Sequence, residues 1–257
     1  MNPIKPALHF GSTAGYLWLD SWVMANVIYL ATESFCERFL DLRNDPKGRL
    51  YDQMVMAARA APANIAEGAS RHQTSTRTEM ELTDVARATI SELSGDFLNW
   101  LLRHKQQCWS KHDPRWMAVK EVRFDKADYS EDFMLDVSKH ILAQKAKVDE
   151  WVESNDSFVC ANAMLVLCGR LTRMLQRQME RQLEDFKENG GFAENLTIAR
   201  TAAVQQQAAK EQNPQCPICG KPMRLRRQTI GAMRGSEFWG CTDYPNCHGT
   251  RPIGKPR

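Results

Sequence analysis

Four cysteines at positions 216, 219, 241 and 247 constrain the fold of this chain more than any other feature. They fall as CPIC, a spacer long enough for a hairpin, and CTDYPNC. Two residues between Cys216 and Cys219 let both thiolates reach one ion from a tight turn, and Cys241 with Cys247 completes the closed tetrahedral shell of a structural zinc site. The segment from Pro214 to Arg257 has almost no aliphatic core. A core that poor needs a metal to supply its folding free energy. Catalytic zinc keeps an open position beside a general base, and neither is evident, so a structural Zn2+ is expected. His248 is the alternative ligand, although four thiolates already fill the shell.

The same segment carries the basic charge. Pro214 to Arg257 holds eight Lys or Arg against two acids, whereas the whole chain is only +3, which leaves the first 213 residues at −3. A concentrated positive end on a mildly acidic body implies a local contact with a polyanion. With 43% hydrophobic residues and a mean hydropathy of −0.50, the 257-residue chain has the composition of a folded soluble protein. The start MNPIKPALHFGSTAG lacks the layout of a secretory signal, so a cytoplasmic location is expected. The uncharged SWVMANVIYLAT, residues 21 to 32, is too short to span a bilayer and reads as a buried helix. No membrane contact is expected.

Before the cysteines, apolar residues recur at steps of three and four. Met24, Ile28, Ala31, Phe35, Phe39 and Leu42 mark a first helix between Gly15 and Arg43. RNDPKG, residues 43 to 48, breaks it, and a second helix runs from about Arg49 to Ser70 with Pro62 inside. Thr74 or Ser75 can cap a third, whose stripe is Leu82, Ala86, Ile90, Leu93, Phe97 and Leu101. The fourth carries Phe158, Ala161, Leu165, Cys168, Leu171, Leu175, Met179, Leu183 and Phe186, and stops at Asn189-Gly190-Gly191. Between the third and fourth lies an insert, 109–154, with HDPRW as a turn and one helix from Tyr129 to Val152. The polar, Ala- and Gln-rich stretch 191–213 reads as a semi-rigid helical linker.

Around the cysteines, Arg224, Arg226 and Arg227 share one predicted strand, Arg234 follows, and Phe238, Trp239 and Tyr244 flank the second cysteine pair. Cations interleaved with flat rings suit single-stranded nucleic acid, phosphates meeting arginines and bases stacking on rings. The same rings can instead cap the zinc site. No HExxH, phosphate-binding glycine loop or nucleophile motif appears, and the histidines outside the cysteine segment are isolated. No catalytic residue is expected and the chain reads as non-enzymatic.

The pattern CPxCG, basic strand, FWGCxxYPxC resembles the four-cysteine zinc ribbon appended to bacterial type I DNA topoisomerases, over about residues 214 to 253. The resemblance implies binding of single-stranded DNA. It implies no topoisomerase activity, because the rest of the chain is helical and too short for that enzyme's cleavage core.

A second resemblance lies in RAAPANIAEGASR, residues 59 to 71, where Arg59, Pro62, Asn64, Ile65, Ala66, Glu67, Gly68 and Arg71 fit a signature. It is similar to that of four-helix-bundle proteins encoded in ribosomal-RNA intervening sequences, related to the accessory variability determinant of diversity-generating retroelements. A bundle followed by GGFAENL and a ribbon resembles the subgroup with a four-helix-bundle suffix domain. This implies a ring-like homo-oligomer, often a pentamer, that engages a reverse transcriptase and nucleic acid. Arg59, Asn64, Glu67 and Arg71 are the polar members of the signature, with Glu67 and Arg71 spaced for a helix ion pair.

The expected architecture is therefore all-α, an up-and-down four-helix bundle over 13–190 with its helical insert at 109–154. A helical linker over 191–213 and a small β zinc ribbon over 214–257 follow. Two functions fit: an oligomeric bundle displaying ribbons that bind single-stranded DNA or RNA, or an oligomeric scaffold recruiting a partner enzyme such as a reverse transcriptase.

Overall fold

The structure is a computed structural model that describes residues 15–71, 75–130, 132–190, 192–210, 214–230 and 235–253. Its contacts divide the chain into two compact units, Met1–Phe192 and Ala193–Arg257. The first is helical and the second combines a helix with a three-stranded sheet.

In the helical unit, a 3-10 turn at Gly15–Trp18 leads into α1 (Asp20–Phe39), followed by α2 (Arg49–Arg71) and α3 (Thr76–Arg103). α4 (Pro114–Glu121), α5 (Phe133–Ala146), α6 (Asp149–Val152) and α7 (Ser157–Asn189) complete it. α1 packs on α2 and α7, and α3 packs on the same two helices. The periodic residues meet there: Met24, Ile28, Ala31 and Phe35 of α1 are buried with Ala86, Ile90, Leu93, Phe97 and Leu101 of α3. Phe35 lies against the rings of Phe39, Phe97 and Trp100 at centroid distances of 5.1, 5.1 and 5.4 Å. Leu42, read as part of the first stripe, is 82% exposed because α1 ends before it.

Local chemistry sets the breaks. Asp41 accepts the amides of Arg43 and Asn44, Asp45 accepts that of Tyr51, and Gly48 takes a φ of 63° before α2 begins. Ser75 caps α3 by accepting the amide of Thr78 at 3.2 Å, whereas Thr74 lies outside the described residues. Pro62 sits inside α2, whose buried side is Met54, Ala58, Ala61, Pro62, Ile65 and Gly68. A side chain at Gly68 would meet the Glu79 carbonyl at 3.2 Å and Leu82 Cβ at 3.3 Å, so glycine sets how closely α2 and α3 approach. α7 stops where Gly190 takes φ 67°, ψ 177°, a conformation open to glycine, while Gly191 lies outside the described residues.

The insert departs from the expectation. HDPRW closes a turn and also starts a helix: the Asp113 amide donates to the Ser110 carbonyl at 3.0 Å, and Asp113 caps α4 by accepting the Arg115 amide, with Pro114 at the first helical position. The single expected helix 129–152 is two, α5 and α6, beginning at Phe133. Val119, Val148 and Val152 join the core, α4 and α6 pack on α7, and α5 packs on α1. Arg170 of α7 ties the connection down, donating to the carbonyls of Val119 at 3.0 Å and Val122 at 2.6 Å. This explains why the first half of α7 is apolar nearly all round, with Cys160, Ala163, Met164, Val166, Leu167 and Cys168 buried. The most apolar window of α7 has a mean hydropathy of 1.4 and is 56% buried inside the protein, which marks it as a core helix. Leu183 and Phe186 continue the stripe but are exposed.

The second unit begins one residue into α8 (Phe192–Lys210), a polar helix whose Leu196 and Ile198 are exposed. The sheet has the order β1 (Met223–Arg227), β2 (Glu237–Cys241), β3 (Thr250–Pro252), antiparallel throughout.

Candidate metal centre and nucleic-acid interface

The ribbon's register decides which side chains share a face. Met223 opposes Cys241, and Leu225 opposes Trp239. This inner side is buried, with Met223, Trp239 and three cysteines forming a small core flanked by Leu225 and Ile253. Side chains alternate across a strand, so Arg224 and Arg226 share the outer side with Phe238 and Gly240 of β2 and with Thr250 and Pro252 of β3.

The four cysteine sulfurs lie within 4.8 Å of one another. Cys216 and Cys247 stand 3.7 Å apart, and Cys219 and Cys241 3.4 Å. Four thiolates at about 2.3 Å around a tetrahedral zinc ion sit roughly 3.8 Å apart, so the cluster has the required size and donor set. Each knuckle, Cys216 with Cys219 and Cys241 with Cys247, is held by its own turn. The Gly220 amide donates to the Cys216 carbonyl at 2.9 Å, with Gly220 at φ 72°, and the Cys247 amide donates to the Asp243 carbonyl at 3.1 Å. Lys221 and Asp243 form an ion pair at 2.9 Å between the two turns. The Cys219 amide, directed at Cys216, lowers that thiol toward the thiolate a metal needs, while the crowding of the neighbouring sulfurs raises Cys247. At Gly249, a Cβ would fall 2.2 Å from Cys216 Sγ, so the backbone passes where only glycine leaves the sulfur its place. These residues form a structural zinc site. Zinc held there would cross-link the two turns, and His248 is outside the cluster. Outside the cluster, burial pushes the Cys36 and Cys168 thiols up to about 12, as expected of packing residues.

The expected nucleic-acid contacts divide. Arg224 and Arg227 are exposed, but Arg227 projects from the opposite side to Arg224 and donates to the Gly235 carbonyl at 3.2 Å. Arg226 is half-buried, with its Cζ 5.0 Å from the Tyr244 ring centroid and Nη2 donating to the Cys241 carbonyl at 3.3 Å. Tyr244 is 55% exposed and meets the His248 ring edge-on at 5.3 Å. Phe238 is half-buried on the outer side. Trp239 corrects the sequence reading: at 3% exposure it is the ribbon's main core side chain and offers no ring to a base. Its position opposite Leu225 on the metal side causes this. Arg234 lies outside the described residues. The sequence reading passed over Gly240 and Gly249, whose importance is steric, and weighed His248 only as an alternative ligand, not for its contact with Tyr244. Register would have flagged Gly240, since it opposes Arg224 on the face of the cations.

The helical unit holds the remaining residues. Arg59, Glu67 and Arg71 are exposed on α2 and Asn64 is half-buried, away from the face that carries Ala58, Ile65 and Gly68. Glu67 and Arg71 form an ion pair at 3.9 Å with both side chains 55% exposed, a contact worth about 0.3–0.5 kcal/mol.

Strand order, paired knuckles and a four-thiolate cluster define a zinc ribbon. Residues 213–256 match the family described as topoisomerase DNA-binding C4 zinc finger. The DNA topoisomerase 1 of Methanocaldococcus jannaschii is 35% identical over 60 residues, which are 23% of this chain and 7% of that protein. The chain thus spans a small fraction of this relative's length. No solved structure matches the chain. A ribbon of this type points to nucleic-acid binding.

Proposed function

We propose that this protein is a non-enzymatic nucleic-acid-binding protein whose zinc ribbon grips single-stranded DNA or RNA. The observation that carries the reading is the ribbon's outer side, where Arg224, Arg226, Phe238 and Tyr244 gather on a scaffold fixed by the metal. An exposed arginine for phosphate and an open ring for a base make a short, sequence-tolerant site. The helical unit is read as the mount. Mutual packing of α1, α2, α3 and α7 supports an up-and-down four-helix bundle of the intervening-sequence type, and oligomers of it would raise a weak single contact to a strong one by avidity.

Anisotropy of labelled single-stranded DNA, RNA and duplex tests this, using the full protein and a chain ending at Gln212 across a salt series. Two to four phosphate contacts predict a log–log salt slope of roughly −1.4 to −2.8 on single strands. The truncated chain should not bind. Equal binding by both chains, or by neither, overturns the reading.

The scaffold reading has one observation in its favour. Leu183 and Phe186 extend the α7 stripe in exposed positions, which suits capture of a protein partner such as a reverse transcriptase. An apolar interface of that kind would be nearly insensitive to salt.

A further inference from the structure

Resting on the nucleic-acid reading, we propose that Arg226 is a positioning residue that fixes Tyr244 as the stacking ring, and that the missing side chain of Gly240 gives it room.

Arg226 leaves the outer side of β1 opposite Phe238 and lies flat across β2. A Cβ at Gly240 would fall 2.6 Å from its Cδ, 2.9 Å from its Nε and 3.2 Å from its Cγ. The stem therefore occupies the space a residue-240 side chain would fill. At its end the guanidinium sits over the Tyr244 ring while Nη2 holds the Cys241 carbonyl. Its Nε is buried with no acceptor. An arginine that takes a phosphate side-on uses Nε and Nη2, and in Arg226 the first is buried and the second already donates to a carbonyl. Arg224, exposed on the same side, has the freedom that Arg226 lacks. The labour divides accordingly: Arg224 meets phosphate, Tyr244 meets a base, and Arg226 holds Tyr244 still. A ring already fixed loses little side-chain freedom when the base arrives.

The proposal separates sharply from a phosphate role for Arg226. The full protein is compared with Arg224→Ala, Arg226→Lys, Arg226→Ala, Gly240→Ala, Tyr244→Ala and the double variant Arg226→Ala/Tyr244→Ala. Zinc content and Kd for a labelled oligothymidine are measured in a salt series. Lysine keeps the charge but has no flat group to lay on the ring, so Arg226→Lys should weaken binding as much as Arg226→Ala, roughly fivefold or more, with the salt slope unchanged. Gly240→Ala should do the same with one zinc per chain retained. The double variant should be no weaker than Tyr244→Ala alone, whereas Arg224→Ala should reduce the slope by about 0.7. In the free protein, the Arg226 Nε–H proton resonance should be shifted by the Tyr244 ring current and return to its usual position in Gly240→Ala. Full binding by Arg226→Lys, or a slope reduced by Arg226→Ala, overturns the positioning role while leaving the nucleic-acid reading intact. Wild-type protein that fails to bind any single strand overturns both.

Discussion

Gly249→Ala is the sharpest probe of the metal centre. The new methyl would stand 2.2 Å from Cys216 Sγ and 3.6 Å from Cys247 Sγ. Ordinary contacts begin near 3.5 Å, so the first distance is short by roughly 1.3 Å. Zinc–sulfur distances tolerate only about 0.2 Å. Cys216 cannot yield so much and remain a ligand with the other three, and the backbone cannot withdraw freely because the Gly249 carbonyl accepts the Cys241 amide at 3.0 Å. Displacing a residue that merely orients a ligand costs about 10–100-fold in metal affinity, and crowding a ligand out should cost at least the upper figure. Competition against a chromophoric chelator reads the affinity, and a cobalt titration reads the number of thiolates bound through its charge-transfer band. Gly220→Ala is the control: it strains a φ of 72° yet meets nothing within 4 Å, so stability should fall while four-thiolate cobalt binding persists. Wild-type affinity and a four-thiolate spectrum from Gly249→Ala would refute the geometry.

Other expectations concern the helices and the free thiols. Phe35→Ala, which removes a ring buried among three others, should cost about 3–5 kcal/mol in urea unfolding, against less than about 0.5 for Leu42→Ala. Arg170→Met should free the segment after α4, seen as faster amide exchange at residues 119–124 with the rest of the helical unit little changed. In zinc-loaded protein a thiol reagent should modify Cys108 quickly and little else. Chelation should add four sites, and Cys36, Cys160 and Cys168 should react only in denaturant; early labelling of Cys168 would contradict its burial.

Much of this was legible because two signals are strictly periodic or strictly spaced. The stripes of α1, α3 and α7 had to face a common interior, and four cysteines in two knuckles leave few alternatives to one ion. What the chain did not reveal depends on contacts distant in sequence. The insert hid its place because α4, α5 and α6 are short, and what anchors them is a hydrogen-bonding arginine on α7. Trp239 looked like a neighbour of Phe238, but one step along a strand reverses the face, and only the register with Leu225 places it inside. For the same reason Arg226 and Arg227, adjacent in sequence, have different surroundings. Glycines carry no signal of their own until the atom that would be struck is known, which is why Gly240 and Gly249 passed unnoticed.

The sheathing of α7 has a consequence for how the chain is made. Its first half is wrapped by elements that all precede it, and α1, whose apolar side it covers, is synthesised well before it. About 136 residues separate the end of α1 at Phe39 from Leu175, the last fully buried leucine of α7. At roughly 5–20 residues per second, α1 waits some 7–27 s for that partner. During that interval the nascent chain presents an unfinished apolar seam, a natural target for a chaperone. A released chain ending at Asn155 should be cut readily within α1 by a protease, whereas one ending at Gly190 should resist. Resistance of the shorter chain would mean that α1, α2 and α3 close without α7.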